Sequence, residues 1–209
     1  MNVPFVDIGE QNRALHPTLL AAIDGVLRSG RYVLGPQTAQ LEASMADRIG
    51  VSAAVAVSSG TDALIAALMS LDIGPGDLVI TTPYSFVASA TALYRVGARP
   101  VFVDIEADTF NLDPRAVEAW FEAAGAHANR VKAIVAVHLY GQCANLVALS
   151  RIAAARQIAL VEDLAQALDA EAIDLNQSAH QTPTIFKAGS VGDAACLSFY
   201  PTQKSLRFG

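Results

Sequence analysis

Residues 131–163 read VKAIVAVHLYGQCANLVALSRIAAARQIALVED, and the pattern within them decides the fold. VKAIVAV (131–137) and IALVED (158–163) are short, almost unbroken apolar runs, the signature of strands covered on both faces. Between them, from about Leu146 to Ala155, apolar residues recur at helical spacing. A strand, a helix and a second strand in so short a span pair in parallel, with the helix crossing over one face of the sheet.

The alternation continues outward. AVAVS (54–58), LVITT (78–82), Val101–Val103 and DAACLSFY (193–200) read as further strands. Helical patterns run over Thr61–Leu71, Ser85–Arg95 and, opened by Pro114, to Ala124. Gly74-Pro75-Gly76-Asp77 is a turn signal, and the polar, proline-bearing stretch Asp174–Thr184 reads as a surface loop. Upstream, a helix opens at Pro17, carries Leu19, Leu20, Ile23, Val26 and Leu27, and stops at Gly30. RYVLGP (31–36) is an extended link to another helix, from about Thr38 to Ile49. The expected fold is α/β, a three-layer sandwich with a mainly parallel sheet and helices on both faces. Residues 1–35 are expected to form a helical arm and link, and 36–209 a ligand-binding large domain.

Composition narrows the function. Of the 209 residues 53% are hydrophobic and 16% charged, which suits a sheet buried on both sides. The net charge of −6, with no basic stripe, argues against a nucleic-acid partner. No run approaches the roughly 18–20 apolar residues of a membrane span. The N-terminus MNVPFVDIGEQ lacks a signal-peptide pattern, so a cytoplasmic location is expected. Cys143 and Cys196 make no CxxC and read as reduced, structural thiols. His16, His127, His138 and His180 are scattered, and no metal site is expected.

Three constellations carry chemistry. No GxGxxG follows a strand, which argues against a nicotinamide site. Instead Ser58-Ser59-Gly60-Thr61-Asp62-Ala63-Leu64 opens a helix with a glycine and small hydroxyl residues. Free amides and the helix dipole favour a phosphate there, and an ordinary N-cap explains the same residues. Asp163, in Val161-Glu162-Asp163-Leu164-Ala165-Gln166, ends a buried strand where α/β sheets bind ligands. The competing reading is a carboxylate capping the next helix. Glu162 faces the other side of that strand and reads as structural. Phe86 follows LVITT, where an aromatic ring either lies against a flat ligand or packs in the core. Tyr84 is an alternative for the first role.

YVLGPQTAQLE (32–42), VAVSSGTDALIAAL (55–68), IGPGDLVITTPYSFVASATA (73–92), GARPVFVDIEADTFNLDP (97–114), KAIVAVHLYGQ (132–142), LVEDLAQAL (160–168) and GDAACLSFYPT (192–202) occur in that order. Together they closely resemble the DegT/DnrJ/EryC1/StrS aminotransferases, pyridoxal-phosphate (PLP) enzymes of the aspartate-aminotransferase fold type, over nearly the whole chain. The resemblance implies a PLP-transferase fold type I large domain, with a C-terminal small domain that the sequence does not contain. It implies that Gly60, Thr61 and Ser198 hold the cofactor phosphate and that Phe86 stacks on the ring. Asp163 would then pair with the pyridine nitrogen, keeping the ring cationic, and Gln166 would contact the ring hydroxyl oxygen. His138 and Tyr140 lie close to the site in relatives. The implied reaction moves an amino group from an amino-acid donor, usually glutamate, to a nucleotide-linked keto-sugar, in a homodimer.

The end of the chain departs from the pattern. The family motif resembles S-F-x-P-x-K-N-L-G, which puts the catalytic lysine at Gln203, and Lys204 stands one residue later. A lysine amine bonds to the cofactor and then shuttles a proton, and a glutamine amide does neither. Three readings stay open: one residue is inserted and Lys204 is the catalytic amine; Gln203 is a true replacement, as in a PLP-dependent or PMP-dependent sugar dehydratase or a non-catalytic binding protein; or the end of the sequence is altered and the chain is a fragment.

Overall fold

The computed structural model describes residues 7–174 and 184–201. The chain forms two compact units, residues 1–56 and 57–209.

The first unit is helical. α1 (Ile8–Arg13) starts at Asp7, whose carboxylate accepts the Glu10 N–H at 2.8 Å. α2 (His16–Ser29) ends at Gly30, left-handed at φ 66°, as the sequence predicts. Its apolar residues Leu19, Leu20, Ile23 and Leu27 are all exposed. α3 (Pro36–Ile49) also ends on a left-handed glycine, Gly50.

The second unit is built on a five-stranded, wholly parallel sheet in the order β2-β1-β3-β4-β7. These strands are β1 (Leu78–Thr81), β2 (Arg99–Phe102), β3 (Val131–Val137), β4 (Ala159–Asp163) and β7 (Ala194–Cys196). Strand alternation sends successive side chains to opposite faces, and each face finds its own helices. On one, Leu78, Ile80, Ile134 and Leu160 pack with Val117 and Phe121 of α6 (Pro114–Ala123) and with Leu149 and Ile152 of α7 (Leu146–Arg156). On the other, Val79, Ala133, Val135 and Val161 pack with Leu64 and Leu68 of α4 (Gly60–Ser70) and Ala92 and Leu93 of α5 (Ala88–Arg95). This is the expected three-layer arrangement.

Three expectations need correction. AVAVS is not a strand. Val55 is 78% exposed, and the Ala56 N–H donates to the Glu42 carboxylate at 2.8 Å instead of to a neighbouring strand. DAACLSFY contributes only Ala194–Cys196 to the sheet, because the chain turns away after its partner β4 ends at Asp163. The expected helix from Ser85 begins at Ala88, after a turn in which the Ser89 N–H bonds the Phe86 carbonyl. The region around the expected loop also holds more order than polarity suggested. β5 (Glu171–Ile173) and β6 (Ile185–Lys187) pair antiparallel on either side of it, and residues 175–183 of the loop lie outside the described residues. Strands of three residues are too short to show a period.

The core centres on β3, so Ile134→Ala, which empties a wholly buried position, is expected to lower unfolding free energy by about 2–5 kcal/mol. Denaturant unfolding followed by circular dichroism checks this.

Candidate functional site

The sheet order locates the site. From β1 the chain crosses to β2 on one side, and β3 then joins β1 on the other. The carboxyl ends of β1 and β3 therefore flank a switch point, where open α/β sheets form a ligand crevice. A small cleft opens there, lined by Ser85 and Phe86 after β1, His138 and Leu139 after β3, and Asp163 and Gln166 at and after β4. Three residues singled out from the sequence, Phe86, Asp163 and Gln166, thus meet. A larger surface hollow, beside Arg151 and Arg156 of α7, lies away from all of them.

Asp163 is 5% exposed. One carboxylate oxygen accepts the Ser89 hydroxyl at 2.9 Å and the other the Ala165 N–H at 3.1 Å. Ser89 is backed by Ser85, its hydroxyl oxygen 2.8 Å away. Burial pushes the Asp163 carboxyl above the usual range, and these two donors only partly oppose it. The capping role weighed for Asp163 does not hold, because a turn and not a helix follows β4, and the Ala165 N–H bond closes that turn. Two donors still leave a carboxylate with spare acceptor sites.

Glu162, its neighbour on β4, is fully buried and has the opposite outcome. It accepts from His138 Nε2 at 3.0 Å, Gly189 N–H at 2.7 Å, Val191 N–H at 2.9 Å and Gly192 N–H at 2.6 Å. Burial works to raise its carboxyl, but the bonds from His138, Gly189 and Gly192 hold it below the usual glutamate range. His138 is likewise satisfied. Its Nδ1 accepts the Ala144 N–H at 2.9 Å, so the ring proton sits on Nε2 and points at Glu162. Its own N–H bonds the Asp163 carbonyl at 3.0 Å. Sequence reasoning reached Glu162 as structural, but not its partnership with His138.

Phe86 is not in the core: its ring is 63% exposed beside the cleft. The Gln166 side-chain oxygen accepts the Tyr140 N–H at 3.1 Å, which leaves the amide NH₂ as the donor it still offers. Tyr84 and Tyr140 join hydroxyls at 3.3 Å near the cleft mouth.

The helix-start constellation sits one strand away. Ser59 caps α4 by accepting the Asp62 N–H at 3.1 Å, and its carbonyl accepts the Ala63 N–H at 2.9 Å. The Ser58 and Ser59 hydroxyls are spent on the Asp62 carboxylate, at 2.5 and 2.9 Å. That leaves the Gly60 and Thr61 amides without a protein acceptor among the described residues. Gly60 lies so close to Ser198 that an added Cβ would come within 2.9 Å of the serine Cβ. Ser198 follows β7, whose Cys196 pairs with Asp163. The ordinary cap is therefore present, and the Gly60 and Thr61 amides stay open beside it. Lys204 and Gln203 lie outside the described residues.

Burial raises both thiols to about 12, with a smaller push from Glu162 on Cys143 and from Asp163 on Cys196, so neither is a ready nucleophile. No helix among the described residues is long and apolar enough to cross a membrane.

Residues 14–208 match the sequence profile of the DegT/DnrJ/EryC1/StrS aminotransferase family. The chain is 40% identical, over all of its length, to 52% of a pleiotropic regulatory protein from Geobacillus stearothermophilus. It is 37% identical over 96% of its length to 51% of the UDP-2-acetamido-2-deoxy-3-oxo-D-glucuronate aminotransferase of Pseudomonas aeruginosa. The crystal structure of a DegT/DnrJ/EryC1/StrS aminotransferase from Brucella abortus superposes with a TM-score of 0.85 at 34% identity, covering 96% of this chain and 51% of that one. The chain thus spans about half the length of the curated relatives it matches.

Glu162→Gln is expected to lower stability by about 3 kcal/mol at neutral pH, because an NH₂ group would face backbone donors in a buried site. Since folding lowers the Glu162 pKa, its contribution is present above the ordinary glutamate range and is lost as pH falls through the folded value. Thermal melts of both proteins should therefore converge in acid.

Proposed function

The chain belongs to the DegT/DnrJ/EryC1/StrS aminotransferase family, and from that premise we propose that it is the cofactor-holding part of a PLP enzyme that moves an amino group, with glutamate as donor, onto a nucleotide-linked keto-sugar. The observation that carries the reading is the meeting of Phe86, Asp163 and Gln166 in one cleft, with Gly60 and Ser198 in contact beyond the next strand. The name of the Pseudomonas aeruginosa relative supports the substrate class.

The residues present fit the cofactor chemically. The Gly60 and Thr61 amides at the start of an eleven-residue helix, with the Ser198 hydroxyl, suit a phosphate dianion. A glycine is required at position 60 because Ser198 leaves no room for a side chain. The Asp163 carboxylate is buried, under-supplied with donors and pushed up in pKa, so a cationic N–H brought beside it relieves a real cost. Gln166 keeps an NH₂ donor for a ring oxygen, and the exposed Phe86 ring offers a face for stacking. When bound, PLP supplies an electron sink that makes the bond-changing carbon acidic.

The division of labour among residues follows. Asp163 keeps a proton on the pyridine nitrogen, and Ser89, itself bonded to Ser85, holds the carboxylate that does so. Lys204 is the amine we propose to bond the cofactor and carry the proton at its Nζ between carbon atoms. This reading takes Gln203 as a one-residue insertion before the lysine. A homodimer and cytoplasmic location belong to the same proposal.

Asp163→Asn is expected to weaken PLP binding by about 10- to 100-fold, the loss of one charge-assisted hydrogen bond, measured by fluorescence titration. Unchanged affinity would remove Asp163 from the cofactor site. Separately, borohydride should fix PLP covalently to the chain, and mass spectrometry should find the adduct on Lys204. Lys204→Ala should lose it and Gln203→Ala keep it, and an adduct that survives Lys204→Ala would defeat the assignment.

A further inference from the structure

The hydroxyls of Tyr84 and Tyr140 have no task in the cofactor site, yet they meet across the carboxyl ends of β1 and β3 that flank it. Tyr84 follows β1 and Tyr140 follows β3, so their joined hydroxyls span the switch point itself. Each is next in sequence to a residue lining the cleft, Ser85 and Leu139. Tyr84 is 43% exposed and Tyr140 63%, more than a packing role needs.

Tyr140 is held in place at a cost. Its backbone is left-handed, φ 56° and ψ 30°, a conformation that a bulky residue rarely adopts. The Gln166 oxygen secures it by accepting the Tyr140 N–H. Tyr84 is steadied by Phe110, with ring centroids 5.8 Å apart and planes tilted by 31°. The strain and the Gln166 bond together fix where the Tyr140 side chain leaves the backbone.

The chemistry of the pair points to its ligand. Of two linked phenols one donates to the other, so the pair still presents one O–H donor and several lone pairs. Neighbouring hydroxyls on a pyranose ring need that mixture. The paired rings of Tyr84 and Phe110 supply apolar surface for the C–H face of a sugar. A phosphate would ask for cations or several N–H donors, which these phenols do not provide. We propose that the Tyr84–Tyr140 hydroxyl pair grips the hexose ring of the nucleotide-linked sugar and discriminates among sugars by their hydroxyl pattern. The inference rests on the cleft being the sugar-amination site.

The test is calorimetric titration of the PLP-loaded protein with UDP-N-acetylglucosamine, its 4-epimer UDP-N-acetylgalactosamine, and UDP alone. Tyr84→Phe and Tyr140→Phe should each lose about five- to tenfold in affinity for the better-bound sugar nucleotide, and the preference between epimers should shrink. Affinity for UDP and for PLP should stay unchanged. The double variant should lose less than the product of the two single losses, since the hydroxyls act together. Sugar-nucleotide affinities unmoved in both variants, UDP affinity falling in step, or wild-type protein that takes up PLP but binds the sugar nucleotides no better than UDP, would each overturn the inference and leave the cofactor reading standing. Failure of the wild-type protein to take up PLP at all would overturn both.

Discussion

Two carboxylates on consecutive residues of a buried central strand form the constraint around which the rest is arranged. Glu162 and Asp163 point to opposite faces of β4, and water reaches neither freely. A buried carboxylate must be given donors or lose its charge, and the fold treats the two differently. Glu162 receives four, three of them backbone amides of the segment 189–192 that leads into β7. Asp163 receives two. The saturated carboxylate binds the chain to itself, and the unsaturated one is left with capacity for something else. The pKa directions, lowered for Glu162 and raised for Asp163, express the same asymmetry.

The structural carboxylate also organises the open one. His138 donates its ring proton to Glu162 and its backbone N–H to the Asp163 carbonyl, so the end of β3 is tied to both residues of β4. Gly192 lies where an added Cβ would meet the Leu160 carbonyl at 2.6 Å, which lets the segment before β7 come close enough to supply its amides. β7 then carries Ser198 towards Gly60. The cleft on one side of Asp163 and the α4 amides on the other are therefore registered through β4, not through loops alone.

Most of this scaffold was legible in the sequence, and what was not has a physical reason. β3 and α7 have apolar patterns set by faces that are continuously covered, and their limits fell within a residue or so of the expected ones. AVAVS has the same local look, but a parallel strand needs a partner, and no local pattern reveals that its amides turn to a helix side chain. At Phe86 the residues alone left a core place and a ligand face both open, because burial statistics average over all phenylalanines. The reason for its exposure is its position after β1 at the switch point, which appears only when the strand order is known. The donors of Glu162 lie 24 to 30 residues away in sequence, and no spacing rule joins them. Phe86, Asp163 and Gln166 were named from motifs in two separate stretches, and their meeting is a property of the sheet.

Gln166 shows how closely the cofactor side and the mouth of the cleft are joined. Its amide has two ends with opposite hydrogen-bonding character. The oxygen is committed to the Tyr140 N–H, which fixes the orientation of the amide and so directs the NH₂ elsewhere. The same bond offsets part of the cost of the left-handed backbone at Tyr140, about 1–3 kcal/mol for a residue of this kind. A side chain that releases Tyr140 would turn its own amide, and a backbone that relaxes at Tyr140 would free Gln166. The donor proposed for the cofactor and the phenol proposed for the sugar are thus two ends of one hydrogen-bonded unit, and neither can be repositioned without the other.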